Sequence, residues 1–492
     1  MLLSILTEEI EILDRQNYRD LEIRGISDDS RSVSEGELFV AVRGIQSDGH
    51  KYIQEALKRG AAAVVAEEKS DIGVPLLIVK DSREAAALLA ARMMNFPSRD
   101  MTMVGITGTN GKTSTAFMLK SILEGSKGKT GILGTVGFGS GDRIAYSGRT
   151  TPASVELNRR LDSFRSEGCM AVVMEVSSHS VDQKRVFGTE FDIGVFTNIS
   201  RDHLNYHHSF ENYLEAKKGF IRSLTEGPGK RGSLVYNYDD LLVREVGEGF
   251  TGPKASFGLS DKADFTAAEV RADLRGTSMR LITPEWQADI RLKLLGLFSI
   301  YNGLAAASAA YLLGIGPDEI KLGLEKVRNV PGRFQVVSEG DEPVTVVDYA
   351  HTPDALENIL SFCRELKPKK IITVFGCGGD RDRGKRPMMG EIAARLSDSV
   401  IITNDNPRTE DPAGIIDEIM EGIENPECAV RVIPDRREAI RAGIEGACSG
   451  DLVMIAGKGH EEVQVVGKRR IEFSDLEEAR KALLIRRGDS VC

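Results

Sequence analysis

At 492 residues, 41% hydrophobic and 28% charged, the chain has an ordinary globular composition but is too long for one hydrophobic core, so two to four domains are expected. A formal net charge of −10 argues against a general nucleic-acid or anionic-membrane binder. Any anionic ligand would have to be held by local Lys, Arg, Mg²⁺ and helix N-termini.

The apolar start, Met1 to Leu6, meets Glu8, Glu9 and Glu11 at once, too short and wrongly flanked for a signal peptide. A strand over 37–42, a helix over 50–59 and a strand over 61–66 form a small α/β unit, with a linker at 95–100. An apolar strand over 101–106 then runs into Thr107-Gly108-Thr109-Asn110-Gly111-Lys112-Thr113-Ser114, with a helix expected from near Ser114. Free N–H groups at such a helix start, with glycines allowing close approach, cradle phosphate oxygens. Lys112 would reach the outer phosphates and the Thr113 hydroxyl would bind the bridging Mg²⁺. The strict P-loop asks for glycine where this chain has Ile106, so the loop is a variant.

Apolar runs at 129–135, 170–176 and 192–198 alternate with helical patterns, which favours a mainly parallel sheet. Glu175 emerges at a strand end, where a Mg²⁺ ligand or a Ser-rich helix cap is expected. His203 follows the next strand, as a second metal ligand or a hydrogen-bonded surface residue. Taken alone, Lys217 and Lys218 read as a solvated helix face. Alternation over 255–295 suggests an antiparallel insertion before a helix at 299–314. The longest apolar helix candidate, 303–314, falls short of the ~20 residues of a membrane span. Val330 to Phe334 looks like a second boundary.

Strands at 344–348, 370–376, 398–403, 430–433 and 451–456 make the last unit a doubly wound α/β domain. Four polar clusters follow four of them: Asp348 to Pro353, Gly376 to Pro387, Asp405 to Arg408, and Ala456 to Glu461. Their coincidence argues for one binding cleft. The expected division is 1–97, 98–334 and 335–492. The six cysteines, without any CxxC, read as structural thiols of a reducing compartment.

Gly108-Thr109-Asn110-Gly111-Lys112-Thr113, joined to the later clusters in this order, resembles the Mur ligase family over essentially the whole chain. The resemblance implies three α/β domains, binding UDP, ATP and an amino acid in that order. It also implies a cytoplasmic, ATP-dependent, amide-forming ligase of peptidoglycan precursor synthesis. Pairing of Asp28-Asp29-Ser30-Arg31-Ser32 with Asp348-Tyr349-Ala350-His351-Thr352-Pro353 looks like the branch that extends UDP-N-acetylmuramoyl-L-alanyl-D-glutamate. Asp405-Asn406-Pro407-Arg408 matches the motif for meso-diaminopimelate, whose distal carboxylate an arginine fork would pair bidentately. Lysine would instead set an ammonium against Arg408.

Carried over residue by residue, Ser30 would contact the UDP part, and Thr150, Thr151, Ser177, Gln183 and Arg185 the muramoyl peptide. Gly108 to Ser114, Asn302, Arg333 and Asp348 would face ATP. Arg381, Asp405 to Arg408, Gly457 and Glu461 would bind diaminopimelate. Lys217 matches the family's carbamylated lysine, which with Thr113, Glu175 and His203 would hold two Mg²⁺; Lys112, Lys217, Glu175 and His203 would be catalytic. The family often has Phe-Asn where this chain has Phe298-Ser299. The implied partners are small molecules, with no nucleic acid, no membrane insertion and no identified protein. Three alternatives stay open: a lysine-adding ligase, a folylpolyglutamate synthase (which lacks a uridine-binding first domain), and a P-loop switch without ligase chemistry.

Overall fold

Ala63–Ala66 and Leu76–Val79 are buried at every position, the pattern of strands covered on both faces. They sit in a five-stranded sheet ordered Ile12–Gln16, Leu76–Val79, Ala63–Ala66, Glu37–Val40, Gly25–Ser27. Only the Ile12–Gln16 edge is antiparallel. A computed structural model of the chain describes residues 1–489, apart from 45–46, 142, 146–148, 227–228, 274–275, 339–341 and 425–427. Cys169, Cys363, Cys377 and Cys428 are buried free thiols and Cys448 is an exposed one; Cys492 lies outside the described residues.

The second sheet has eight strands among the described residues; Thr102–Thr107 lies between Ala171–Glu175 and Ile193–Phe196 and is parallel to both, while Phe138–Ser140 and Arg143–Ala145 make one edge antiparallel. Lys254–Phe257 pairs parallel with Ser233–Asn237 at one edge. The antiparallel insertion therefore begins later than the alternation suggested, at Thr266–Asp273, and continues through Gly276–Ile282 and Gln287–Leu292. Its inward residues Met279, Leu281, Ile290 and Leu292 join the core beneath Leu297–Leu312. That helix carries a run of small residues, Ala305 to Ala310, all inaccessible, so its backbone lies close to the helix Lys112–Ser126. Thr115 Oγ1 donates to Asn302 Oδ1 at 3.3 Å across this contact. The P-loop helix is thus anchored on a rigid neighbour.

The last sheet runs Gln335–Val336, Val344–Asp348, Leu452–Ala456, Ile371–Phe375, Ser399–Ile402, Ala429–Val432. All but the first edge strand are parallel. The four strands that precede polar clusters are adjacent, so their carboxyl ends form one rim. Our proposed division at 97/98 and 334/335 leaves each sheet whole.

Behind that rim, Arg436 and Asp475 are both fully buried and paired through two bonds of 2.7 and 2.8 Å. Removing one partner strands a buried charge. Asp475→Ala is expected to cost about 3–5 kcal/mol of unfolding free energy, read as a lower urea midpoint; an unshifted midpoint would show the pair is dispensable.

Candidate functional site

The helix after the P-loop begins at Lys112, two residues before the sequence suggested. Lys112 and Thr113 therefore sit in its first turn, beside free N–H groups. Gly108 and Gly111 take φ of +143° and +84°, and a Cβ at either would collide with Thr197 or Asn302. The loop is pinned from below: Thr109 N donates to Asn198 O (2.9 Å) and Asn110 N to Asn198 Oδ1 (2.8 Å). Thr109 Oγ1 also meets Tyr213 Oη at 3.0 Å.

Lys112 Nζ donates to Gly108 O and Thr109 O, each at 2.8 Å. Lys217 Nζ donates to the same Gly108 O at 2.8 Å. Lys217 is buried, contrary to a solvated helix face, because the loop carbonyl and the Tyr213 ring (4.7 Å) enclose it. Burial, then the neighbouring Lys112 charge, hold its pKa well below the usual lysine range. Burial lowers Lys112 as well, with Glu175 opposing.

Glu175 is buried at the end of its strand. Its Oε1 accepts from Thr113 Oγ1 and Thr135 N, both at 2.9 Å, and its Oε2 from Thr135 Oγ1 at 2.8 Å. Thr135 Oγ1 in turn meets Thr150 Oγ1 at 3.1 Å. Ser177 does cap the helix Ser178–Asp182, and it also meets Thr151 Oγ1 at 3.2 Å. Arg185 joins this group through Thr151 O (2.9 Å) and Gln183 Oε1 (2.6 Å). His203 Nε2 lies 3.3 Å from Asp202 Oδ2. Burial outweighs that carboxylate and lowers the His203 pKa to about 4, so its ring is neutral near pH 7.

Across the gap, Arg333 Nη2 donates to Thr113 Oγ1 at 3.1 Å while its guanidinium covers the Tyr349 ring at 4.7 Å. Asp348 fixes this junction by accepting from Phe334 N (2.6 Å) and Ala350 N (2.7 Å). Asn110 Nδ2 donates to Asp354 Oδ2 at 2.7 Å, and His460 Nε2 meets Thr135 O at 3.1 Å. A cavity of about 200 Å³ lies between these walls. Gly108 to Ser114, Thr150, Glu175, Ser177, His203, Lys217, Asn302, Arg333 and Asp348 all line it. So do Thr135, Phe298, Asn358 and Ile359, which motif matching did not assign. Ala355, Asn358 and Ile359 follow i, i+3, i+4 spacing on Pro353–Glu365, a signal that was available.

The other expected residues form a second group on the same rim. Arg408 Nη1 donates to Gly379 O at 2.7 Å, and Asn406 Nδ2 to Glu461 Oε2 at 2.8 Å. Gly457 N donates to Asp348 O at 3.1 Å, linking the two groups. Arg381 is exposed beside them, its Nη1 on Asp380 O at 2.9 Å. The loop at 376–387 is no simple charged surface: Lys385 and Arg386 are buried, and Arg386 grips Glu410 through two bonds of 2.9 and 2.8 Å. Ser30 lies apart, in the first unit, donating to Glu55 Oε2 at 3.0 Å.

Three family models match in succession: "Mur ligase family, catalytic domain" over 22–104, "Mur ligase middle domain" over 106–310, and "Mur ligase, glutamate ligase domain" over 332–459. A protein of Syntrophomonas wolfei named UDP-N-acetylmuramoyl-L-alanyl-D-glutamate–2,6-diaminopimelate ligase is 46% identical, over 94% of this chain and 95% of its own length. A solved structure of a ligase of the same name is 32% identical with a TM-score of 0.68, covering 94% of this chain and 95% of that one. The MurF ligase of Thermotoga maritima in complex with ADP shares the fold at 21% identity and a TM-score of 0.67, covering 95% of this chain and 100% of its own. With its P-loop, its strand-end clusters and these full-length matches, the chain belongs to the Mur ligase family.

Proposed function

We propose that this chain joins meso-2,6-diaminopimelate to the D-Glu γ-carboxylate of UDP-N-acetylmuramoyl-L-alanyl-D-glutamate, using ATP, in cytoplasmic peptidoglycan precursor synthesis. The observation that carries it is the Arg333 Nη2–Thr113 Oγ1 bond of 3.1 Å, which joins the P-loop to the segment that leads into the last sheet. Full-length relatives of that name support the substrate choice.

In the first step a γ-carboxylate oxygen attacks the γ-phosphorus and ADP leaves, giving an acyl phosphate. The amine nitrogen then attacks the acyl carbon, phosphate leaves, and the nitrogen loses a proton. Lys112 and the loop N–H groups position and neutralise the phosphates. Thr150, Thr151, Ser177, Gln183 and Arg185 hold the muramoyl peptide and Ser30 its uridine end. Asn302 and Asp348 face the nucleotide. Arg381, Asp405 to Arg408, Gly457 and Glu461 receive the diaminopimelate.

No group of three His, Cys, Asp or Glu side chains forms a ready metal site among the described residues. Mg²⁺ does not need one: it takes one or two carboxylates, hydroxyl oxygens, waters and substrate phosphates. Thr113 Oγ1 and Glu175, 2.9 Å apart, fit that donor set. Thr113, Glu175, His203 and a carbamate on Lys217 would hold two Mg²⁺, which neutralise phosphate charge when bound.

ADP release with the UDP-dipeptide, comparing diaminopimelate with lysine, tests the reading. Preference for lysine would overturn it in favour of the lysine-adding ligase. ATP hydrolysis indifferent to both would favour a nucleotide switch. The family match over 22–104 falls on the unit that this reading assigns to uridine, a domain that a folylpolyglutamate synthase lacks. Arg408→Ala is expected to raise KM for diaminopimelate about 10- to 100-fold, the worth of a charge-assisted pair, with KM for ATP unchanged.

A further inference from the structure

Lys458, in the loop after Leu452–Ala456, has no part in the chemistry above. It is fully buried, and its ammonium meets three acceptors: Asn406 Oδ1 at 3.0 Å, Glu461 Oε2 at 2.8 Å and Val463 O at 2.9 Å. An ammonium has three donors, so none is spare. A side-chain amide can face either way, and here the neighbours decide. Asn406 Oδ1 accepts from Lys458 Nζ and from Val465 N (2.9 Å), which turns Nδ2 to Glu461 Oε2. Glu461 Oε2 thus takes two donors, while Oε1 accepts none among the described residues.

Asp405 adds a second carboxylate, beside Gly457. Its Oδ1 takes Asn406 N at 2.6 Å, and its buried Oδ2 has no partner among the described residues. Burial alone would raise its pKa, but Lys458 and Arg436 outweigh burial and keep it low. Without Lys458, the charges of Asp405 and Glu461, on either side of Asn406, would go uncompensated there and favour a plain cation. With it, one negative charge is cancelled, and the remaining one balances against the arginines of the rim.

We propose that Lys458 is a positioning and selectivity-setting residue: it locks Asn406 and Glu461 in one arrangement, and its charge lets the subsite take the zwitterionic end of diaminopimelate over the cationic end of lysine. The inference rests on the function proposed above. Its test is Lys458→Met in the intact chain, with ADP release measured against each substrate in turn. KM for diaminopimelate should rise tenfold or more, KM for ATP and UDP-dipeptide should hold, and the diaminopimelate-to-lysine ratio of kcat/KM should fall. Unchanged KM and ratio, or a parallel rise in KM for ATP, would overturn the role. Lys458→Arg keeps the charge and misplaces the donors, so KM should rise while the ratio holds; a collapsed ratio there would equally overturn it. Wild-type enzyme without diaminopimelate-dependent release would instead overturn the function itself.

Discussion

Lys112→Met is expected to lower kcat for ADP release about 10³-fold, with little change in thermal midpoint. Methionine keeps the length of the stem and removes only the ammonium. That ammonium sits at 2.8 Å from two loop carbonyls, where no other cation of the loop can replace it. Charge shifts toward the β–γ bridge only as phosphoryl transfer proceeds, so the loss should fall on kcat more than on KM. Stopped ADP release with full UDP-dipeptide binding, measured by calorimetry, is the expected pattern. A loss below tenfold would reduce Lys112 to a loop strut.

The second large effect concerns Lys217. Two lysine nitrogens share one carbonyl oxygen, Gly108 O, at 2.8 Å each, so their separation cannot exceed twice that distance. Like charges so close and so buried repel strongly. Once the ammonium of Lys217 gives up its proton, the neutral amine can add CO₂ through a new N–C bond and release a second proton, so an anion stands where the cation stood and repulsion from Lys112 becomes attraction. Burial and the Lys112 charge lower its pKa, which enlarges the share of reactive neutral amine. We expect Lys217→Ala to lose about 10²–10³-fold in kcat, and the wild type to lose activity in CO₂-free buffer and regain it with bicarbonate. Intact mass should show the increment of one CO₂ on the peptide carrying Lys217. Full activity of Lys217→Ala would refute the assignment. The stability sign is fixed too. Between the lowered folded value and 10.5, the unfolded chain binds more protons than the native one. Uncarbamylated protein should therefore gain stability as pH rises through that window and lose it as pH falls through the folded value.

Polar clusters were legible wherever they ended an apolar run. Asp348, Gly376, Asp405 and Gly457 stand out because the strands before them are continuous hydrophobic stretches, and strand adjacency then gathers them. Lys217 was not legible from its neighbours. Glu215 and Lys218 make its helix look solvated, and the carbonyl that buries it comes from Gly108, distant in sequence. The resemblance, rather than any local pattern, singled it out. Lys254–Phe257 was misplaced for a related reason: alternation marks a strand but not its partner, and here the partner is the parallel strand Ser233–Asn237. The hairpin Val463–Val466 with Arg469–Glu472 gave little signal because much of it is exposed. It nonetheless supplies the amides that hold Asn406 and Arg408.

The pair between Arg436 and Asp475 has a reach beyond stability. Arg436 Nη2 also donates to Ala456 O at 2.8 Å, one residue before Gly457. The helix Asp475–Asp489 is thereby wired to the floor of the rim. Losing that helix alone would leave every P-loop contact encoded while unfastening the amino-acid side, so the two halves of the cleft depend on different stretches of the chain.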